Sequence, residues 1–164
     1  MKEPIYVKKS VFGMGVFASR DIKKGEKICS MKGDVVHTWL TKKLAESKRD
    51  TTDLLQIGVN RYIHMRKPYL LINHSCAPNA AIVGLNTLVA IAVIKKDSEI
   101  FYDYSTTWYD GFLCDCGNKN CRGNISDFFS LPAGLQKRYT KSGNLPDYIR
   151  KEAARRHARR KKRQ

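Results

Sequence analysis

Three cysteines stand within eight positions in LCDCGNKNCRGNI, residues 113–125. The spacing Cys114-x-Cys116-x4-Cys121 is that of thiolates converging on a metal ion, and a structural zinc held by protein takes four ligands. Of the two other cysteines, Cys29 lies in the strand-like run EKICSM and reads as a small buried residue. Cys76 lies in LLINHSCAPNA, where an apolar run gives way to polar and turn-forming residues. A thiol there could project from a fixed loop toward the C-terminal trio, with His37, His64 and His74 competing for the same place. A metal so held would tie together parts of the chain about forty positions apart. Two further groups stand out. Gly13-Met14-Gly15 could let backbone approach a ligand closely or equally form a tight hairpin, and Tyr102 and Tyr104 in EIFYDYS read on their own as a tyrosine-rich core strand.

The elements that must position these groups read as short strands up to about residue 104. Ile5–Val7, Val16–Ala18, Lys27–Ser30, Leu54–Val59 and Tyr62–His64 are β-prone runs separated by Gly, Asn, Asp or Lys. Thr87–Ile94, TLVAIAVI, predicts one strand buried on both faces. A short helix is expected around Thr41–Lys48. By alternation along Glu99–Tyr104, Asp103 faces away from the tyrosines and is given no chemistry. No βα alternation is present, which argues against a parallel α/β fold. After residue 125 the pattern turns helical: AGLQKRYTKS runs from Pro132 to Gly143, and Pro146-Asp147 opens a second helix that continues into a basic tail.

The chain has 164 residues and a formal charge of +16, a length that suits one domain with its own core. Residues 150–164, RKEAARRHARRKKRQ, set nine Lys or Arg against Glu152. Such a run fits phosphate or another acidic surface, and fits equally a solvated helix end. No stretch reaches the ~18 apolar residues of a membrane span, and the charges in MKEPIYVKK do not suit a secretory signal. An odd number of cysteines points to a reducing, intracellular compartment.

GMGVFASRDIKKGEKI, INHSCAPN, EIFYDYS and CDCGNKNCRGNI, taken in this order, resemble the motifs of SET-domain protein lysine methyltransferases with a post-SET zinc loop. The likeness covers about residues 4–125 and is closest to the compact prokaryotic or viral members. It implies a mainly β fold of short curled sheets with a knotted-looking C-terminal segment, followed by short α-helices. The implied organisation is a SET domain over 1–112, a zinc loop over 113–125, a helical extension over 126–149 and the basic tail over 150–164. The family's zinc would take Cys76, Cys114, Cys116 and Cys121. S-adenosylmethionine would meet the backbone around Phe12, Met14 and Gly15, the Asn73 side chain, the His74 backbone and the apolar Ile125. Tyr104 matches the essential tyrosine. Tyr102 matches the position that sets the methylation state, and its hydroxyl implies mono- or dimethylation. Many members carry an aromatic residue where this chain has Asp53. The implied substrate is a lysine on a partner protein, plausibly a histone or other DNA-packaging protein, and the tail 150–164 is a candidate for nucleic-acid contact; no membrane partner is expected. The alternative is a non-catalytic, zinc-stabilised nucleic-acid- or protein-binding module on the same scaffold.

Overall fold

The computed structural model describes residues 2–37, 53–107 and 111–161. The helix expected around Thr41–Lys48 falls outside these. Strands β1 (Ile5–Ser10) and β2 (Gly13–Ala18) form an antiparallel hairpin, with Ile5 opposite Ala18 and Ser10 opposite Gly13. Two three-stranded antiparallel sheets follow. In the first, β3 (Lys27–Ser30) and β7 (Ala80–Val83) flank β8 (Thr87–Ala90). In the second, β4 (Gly33–His37) and β5 (Leu54–Gly58) flank β6 (Arg61–Met65). The architecture is mainly β, built from short pieces, as the sequence predicts. β4 and β7 extend that reading, since neither stands out as a separate strand run in the sequence.

One expected element is different. TLVAIAVI is not a continuous strand buried on both faces. Only Thr87–Ala90 pairs in the ladder, with Leu88 and Ala90 inward and Thr87 and Val89 half-buried. The chain then bends, Val93 is 61% exposed, and Ile94 returns to the core by exchanging backbone bonds with Ile22. Apolar content alone did not distinguish a strand from a strand followed by a bend.

The faces of the sheets enclose one core in which Val16, Ile22, Ile28, Met31, Leu55, Ile63, Ile82, Leu88 and Ile100 are almost wholly buried. Burying each of the larger side chains contributes roughly 1.5–3 kcal/mol. Tyr102 belongs to this core, which fixes the base of the tyrosine segment.

That segment is not a sheet strand. Residues 98–102 run extended between β2 and the 72–76 loop. Ile100 N–H donates to Val16 O, Tyr102 N–H to Asn73 O, and Ser75 N–H to Tyr102 O. Asn79 holds the same segment through its side chain, donating to Glu99 O at 2.7 Å and accepting from Phe101 N–H at 2.9 Å. The short strands β9 (Phe112–Leu113) and β10 (Asn124–Ile125) then pair and close the cysteine-rich loop on itself.

Helices α1 (Ala133–Ser142) and α2 (Asp147–Lys161) complete the chain. Gly143 ends α1 in the left-handed region at φ +72°, a conformation open to glycine because it lacks Cβ. A second, smaller core of Phe128, Leu131, Tyr139, Leu145 and Ile149 joins the helices. α2 packs into this core through its first turn, Arg156 lies over the Phe129 ring at 3.7 Å, and the Lys and Arg side chains from Arg150 onward are exposed wherever the structure describes them. Among the described residues no helix is long and apolar enough to cross a membrane.

Candidate active site and thiolate cluster

The INHSCAPN loop brings the predicted groups together because its backbone is bonded on one side to the tyrosine segment and its side chains reach the C-terminal loop. A bridge pairs His74 with Tyr102 in parallel. Tyr104 opens a single 3-10 turn, Tyr104–Thr106, capped by Asp103, whose carboxylate accepts from Ser105 N–H. The Tyr104 hydroxyl donates to Ile72 O at 2.8 Å. Its ring lies 4.8 Å from that of Tyr102, 5.3 Å from His74 and 5.8 Å from Phe112. Tyr102 is 4% exposed and Tyr104 half-buried. Burial raises the pKa of both phenols, and Tyr102 and Asp53 push that of Tyr104 higher still. Both hydroxyls are therefore neutral hydrogen-bonding groups near pH 7 and not bases.

Asn73, the neighbour of Ile72 in the chain, centres a polar network. Asn73 Nδ2 donates to Met14 O at 3.2 Å and to Glu99 Oε1 at 2.8 Å, while Glu99 Oε2 accepts from Ser10 Oγ at 2.6 Å. Gly15 is buried, and a Cβ there would run into the Glu99 carboxylate. The bare face of this glycine thus accommodates a side chain of the same protein. Phe12 and Met14 are 45% and 48% exposed, so two large apolar side chains border the site in solvent. Ile125 is wholly buried and pairs with Phe112.

Cys76 and the C-terminal cysteines meet. Cys76 Sγ is 3.9 Å from Cys114 Sγ, and Cys121 Sγ is 3.7 Å from Cys114 Sγ. Sulfurs at the corners of a tetrahedron with ~2.3 Å metal bonds stand about 3.8 Å apart, so these two spacings suit thiolates sharing a zinc, while Cys121 stands outside the group whose ligand atoms all lie within 4.8 Å of one another. His74 Nε2 and the sulfurs of Cys76, Cys114 and Cys116 also lie within 4.8 Å of one another, which raises His74 as a competing ligand. Its hydrogen bonds decide against that. Nδ1 accepts the Tyr104 N–H at 3.1 Å and so carries the lone pair. The neutral ring must then bear its proton on Nε2, which points at Cys76 Sγ from 3.4 Å as an N–H donor. Burial, opposed by Asp103, lowers the His74 pKa to about 4, which keeps the ring neutral. His37 and His64 do not join the group. Burial raises the Cys76 and Cys114 thiols. At Cys116 burial is outweighed by backbone N–H groups and neighbouring thiols, leaving it at about 7, a thiol readily ionised by a cation.

Asp103, given no chemistry from sequence, is the electrostatic centre of the site's reverse side. It does face away from the tyrosines, but it is 2% exposed. Arg122 grips it with a fork, Nη1 on Oδ2 and Nη2 on Oδ1, both at 2.7 Å. Tyr139 Oη donates to Oδ2 at 2.7 Å. Burial alone would raise this carboxyl; Arg122 and Tyr139 bring it below the ordinary carboxylate range. Arg122 also donates its backbone N–H to Cys76 Sγ, so one residue spans the thiolates and the tyrosine turn. Its Nε is buried with no hydrogen-bond partner among the described residues. Sequence reasoning missed Arg122, Glu99, Asn79 and Phe112. The first three lie inside the quoted motifs, but nothing in their spacing shows what they bond. Phe112 precedes the cysteine loop by one residue and carried no signal.

Residues 13–105 match the family model described as "SET domain". The chain belongs to the SET-domain family. It is 34% identical over 128 residues to the Plasmodium falciparum variant-silencing SET domain-containing protein, covering 66% of this chain and 5% of that one. It is 31% identical over 127 residues to the Arabidopsis thaliana histone-lysine N-methyltransferase ASHH1, covering 68% and 26%. The chain thus spans a minor part of these relatives' length. Its fold is similar to that in a humanized mutant of the Chaetomium thermophilum Polycomb Repressive Complex 2 bound to the inhibitor GSK343, with a TM-score of 0.60, 18% identity and coverage of 67% and 16%. The structure described as ctPRC2 in an autoinhibited conformation bound to S-adenosylmethionine gives 0.59 at 19% identity, with the same coverage.

Proposed function

We propose that this chain is an S-adenosylmethionine-dependent protein lysine N-methyltransferase that adds one or two methyl groups to a lysine of a partner protein. The observation that carries the reading is the placement of the Tyr104 hydroxyl. It sits on the Ile72 carbonyl, among the rings of Tyr102, His74 and Phe112, one loop away from Asn73 and the Met14 carbonyl. Histone-lysine methyltransferases among the relatives are consistent with it.

S-adenosylmethionine supplies a sulfonium methyl already activated for transfer to an amine. What the protein must do is line up that amine and remove its proton beforehand. A lysine of pKa ~10.4 is cationic near neutral pH and has no lone pair. The faces of Tyr102, Tyr104 and Phe112 attract such a cation, and burial among them then disfavours the charged form. The Tyr104 proton is committed to Ile72 O, so its oxygen faces the amine as an acceptor and orients it. Tyr102, more deeply buried, narrows the space around the nitrogen. Asn73, with the Met14 carbonyl, is assigned to the amino-acid end of the methyl donor, the backbone of His74 and Ile125 to its adenine end, and Phe12, Met14 and Gly15 to its border. No side chain is assigned as a general base: the ammonium gives its proton to water on entering the site, and positioning of the neutral amine supplies most of the rate.

Cys76, Cys114, Cys116 and Cys121 are assigned to a structural zinc, whose four thiolates leave no open position for water. It holds the 113–125 loop against the INHSCAPN loop. The substrate class that fits best is a flexible, lysine-bearing segment of a histone or other DNA-packaging protein. The exposed cations of α2 would bring the enzyme to the nucleic acid where such proteins reside, inside the cell.

Incubation of zinc-loaded protein with labelled methyl donor and either mixed histones or cell lysate tests the reading. Label should pass to protein lysine, and Tyr104→Phe should reduce the rate by on the order of 10²-fold. Equal labelling by both proteins overturns the assignment of Tyr104. No labelling by either favours a non-catalytic binding module.

A further inference from the structure

The segment that carries Tyr104 is held from behind by the C-terminal helices. Asp103 and Thr106 flank the tyrosine, and residues 105–107 are each 3% exposed or less. Asp103 receives a tyrosine hydroxyl from the extension, and Thr106 O shares the single proton of a second one with Gln56. From α1, Tyr139 Oη donates to Asp103 Oδ2 at 2.7 Å. From the first turn of α2, Tyr148 Oη lies 3.3 Å from Thr106 O and 3.1 Å from Gln56 Oε1 on β5.

Asp103 has four good acceptor positions, and all four are taken. Ser105 N–H and Arg122 Nη2 occupy Oδ1, while Arg122 Nη1 and Tyr139 Oη occupy Oδ2. Three of those donors come from the turn or the cysteine loop; the fourth comes only from α1. Tyr102 belongs to the sheet core, whereas Tyr139 belongs to the second core with Phe128, Leu131, Leu145 and Ile149. The carboxylate between them therefore joins the two cores exactly where the chain turns into Tyr104.

We infer that the helical extension is a positioning element of the active site, with Tyr139 and Tyr148 setting the Tyr104–Thr106 turn through Asp103 and Thr106. The inference rests on the methyltransferase reading for its kinetic consequence and on geometry alone for its structural one. A buried hydroxyl on a carboxylate fixes both direction and distance. Small misplacement of a reacting geometry lowers rate far more than it lowers binding. The two tyrosines act through other residues and bond neither Asn73 nor Met14, so a change in them should appear in kcat more than in KM for the methyl donor.

Tyr139→Phe, Tyr148→Phe and the double variant keep the rings that fill the second core and remove only the hydroxyls. Thr140→Ala, on the exposed face of α1, is the control. Two measurements decide the matter. Hydrogen exchange of residues 103–107, followed by mass spectrometry well below the unfolding temperature, should accelerate in the double variant and not in the control. In the same samples kcat should fall roughly tenfold with donor KM changed less than about twofold. Unchanged exchange at 103–107 overturns the inference, and so does faster exchange with wild-type kcat. Absence of methyl transfer by the wild type sinks the enzymatic reading instead, and the exchange result then decides the helical clamp alone.

Discussion

Arg122→Met removes one partner of a buried pair and leaves the other. In the native protein the Arg122 side chain is 15% exposed and that of Asp103 1%. The fork contributes two bonds of 2.7 Å, and a third guanidinium bond reaches Ser105 Oγ at 3.0 Å. Methionine preserves most of the volume and none of the charge. Asp103 would keep Ser105 N–H and Tyr139 Oη, two donors for a carboxylate sealed from water. Breaking a buried pair from one side costs about 3–5 kcal/mol, most of it the orphaned charge. The geometry here puts the loss in the upper part of that range, because both oxygens lose a charged donor at once. The cause can be isolated. Adding Asp103→Asn neutralises the orphan while keeping an acceptor for Tyr139, so the double variant should recover at least half of the loss. Urea unfolding at pH 7 with zinc held constant measures all four corners of this cycle. A loss below about 1 kcal/mol for Arg122→Met, or losses that simply add in the double variant, would refute the claim that this pair is a dry, closed interaction.

Tyr102→Phe keeps the ring in the core and deletes the hydroxyl that the proposed function assigns to the lysine site. The proposed enzyme should then carry its product further, from mono- or dimethyl toward trimethyl, as mass spectrometry of the substrate peptide would show. Cys76→Ser removes the thiolate that bonds His74 and Arg122. Bound zinc should fall from one per chain to a small fraction by atomic absorption, and methyl transfer should be lost with it; full zinc retention would exclude Cys76 from the ligand set. Replacing Lys151, Arg155 and Arg159 by Gln on the exposed part of α2 should weaken DNA binding. The slope of log K against log salt should flatten by about 0.9 for each phosphate contact removed, and an unchanged slope would deny the helix that role.

How much of this could be read in advance follows from how local each interaction is. The cysteine cluster could be read in advance as a candidate metal site because metal ligands are few in type and their spacing is stereotyped; Cys76 entered through its loop motif, and its sulfur lies 3.9 Å from that of Cys114. Helix α1 was legible because Pro132 and Gly143 act through their own backbone constraints. The bend after Ala90 was not, since Ile91–Ile94 has strand composition and its backbone bonds go instead to Asn79 and Ile22, distant in sequence. Asp103 marks the same limit within the site. Its alternation correctly aimed it away from the tyrosines, and an acid facing away from a reaction looks idle in one dimension. What it meets, the Arg122 fork and the Tyr139 hydroxyl, comes from 19 and 36 positions further along the chain. A charge is rarely buried to 2% exposure without such partners. Partners of this kind are long-range consequences of folding, so the sequence displays the groups that face the reaction more readily than the groups that hold them still.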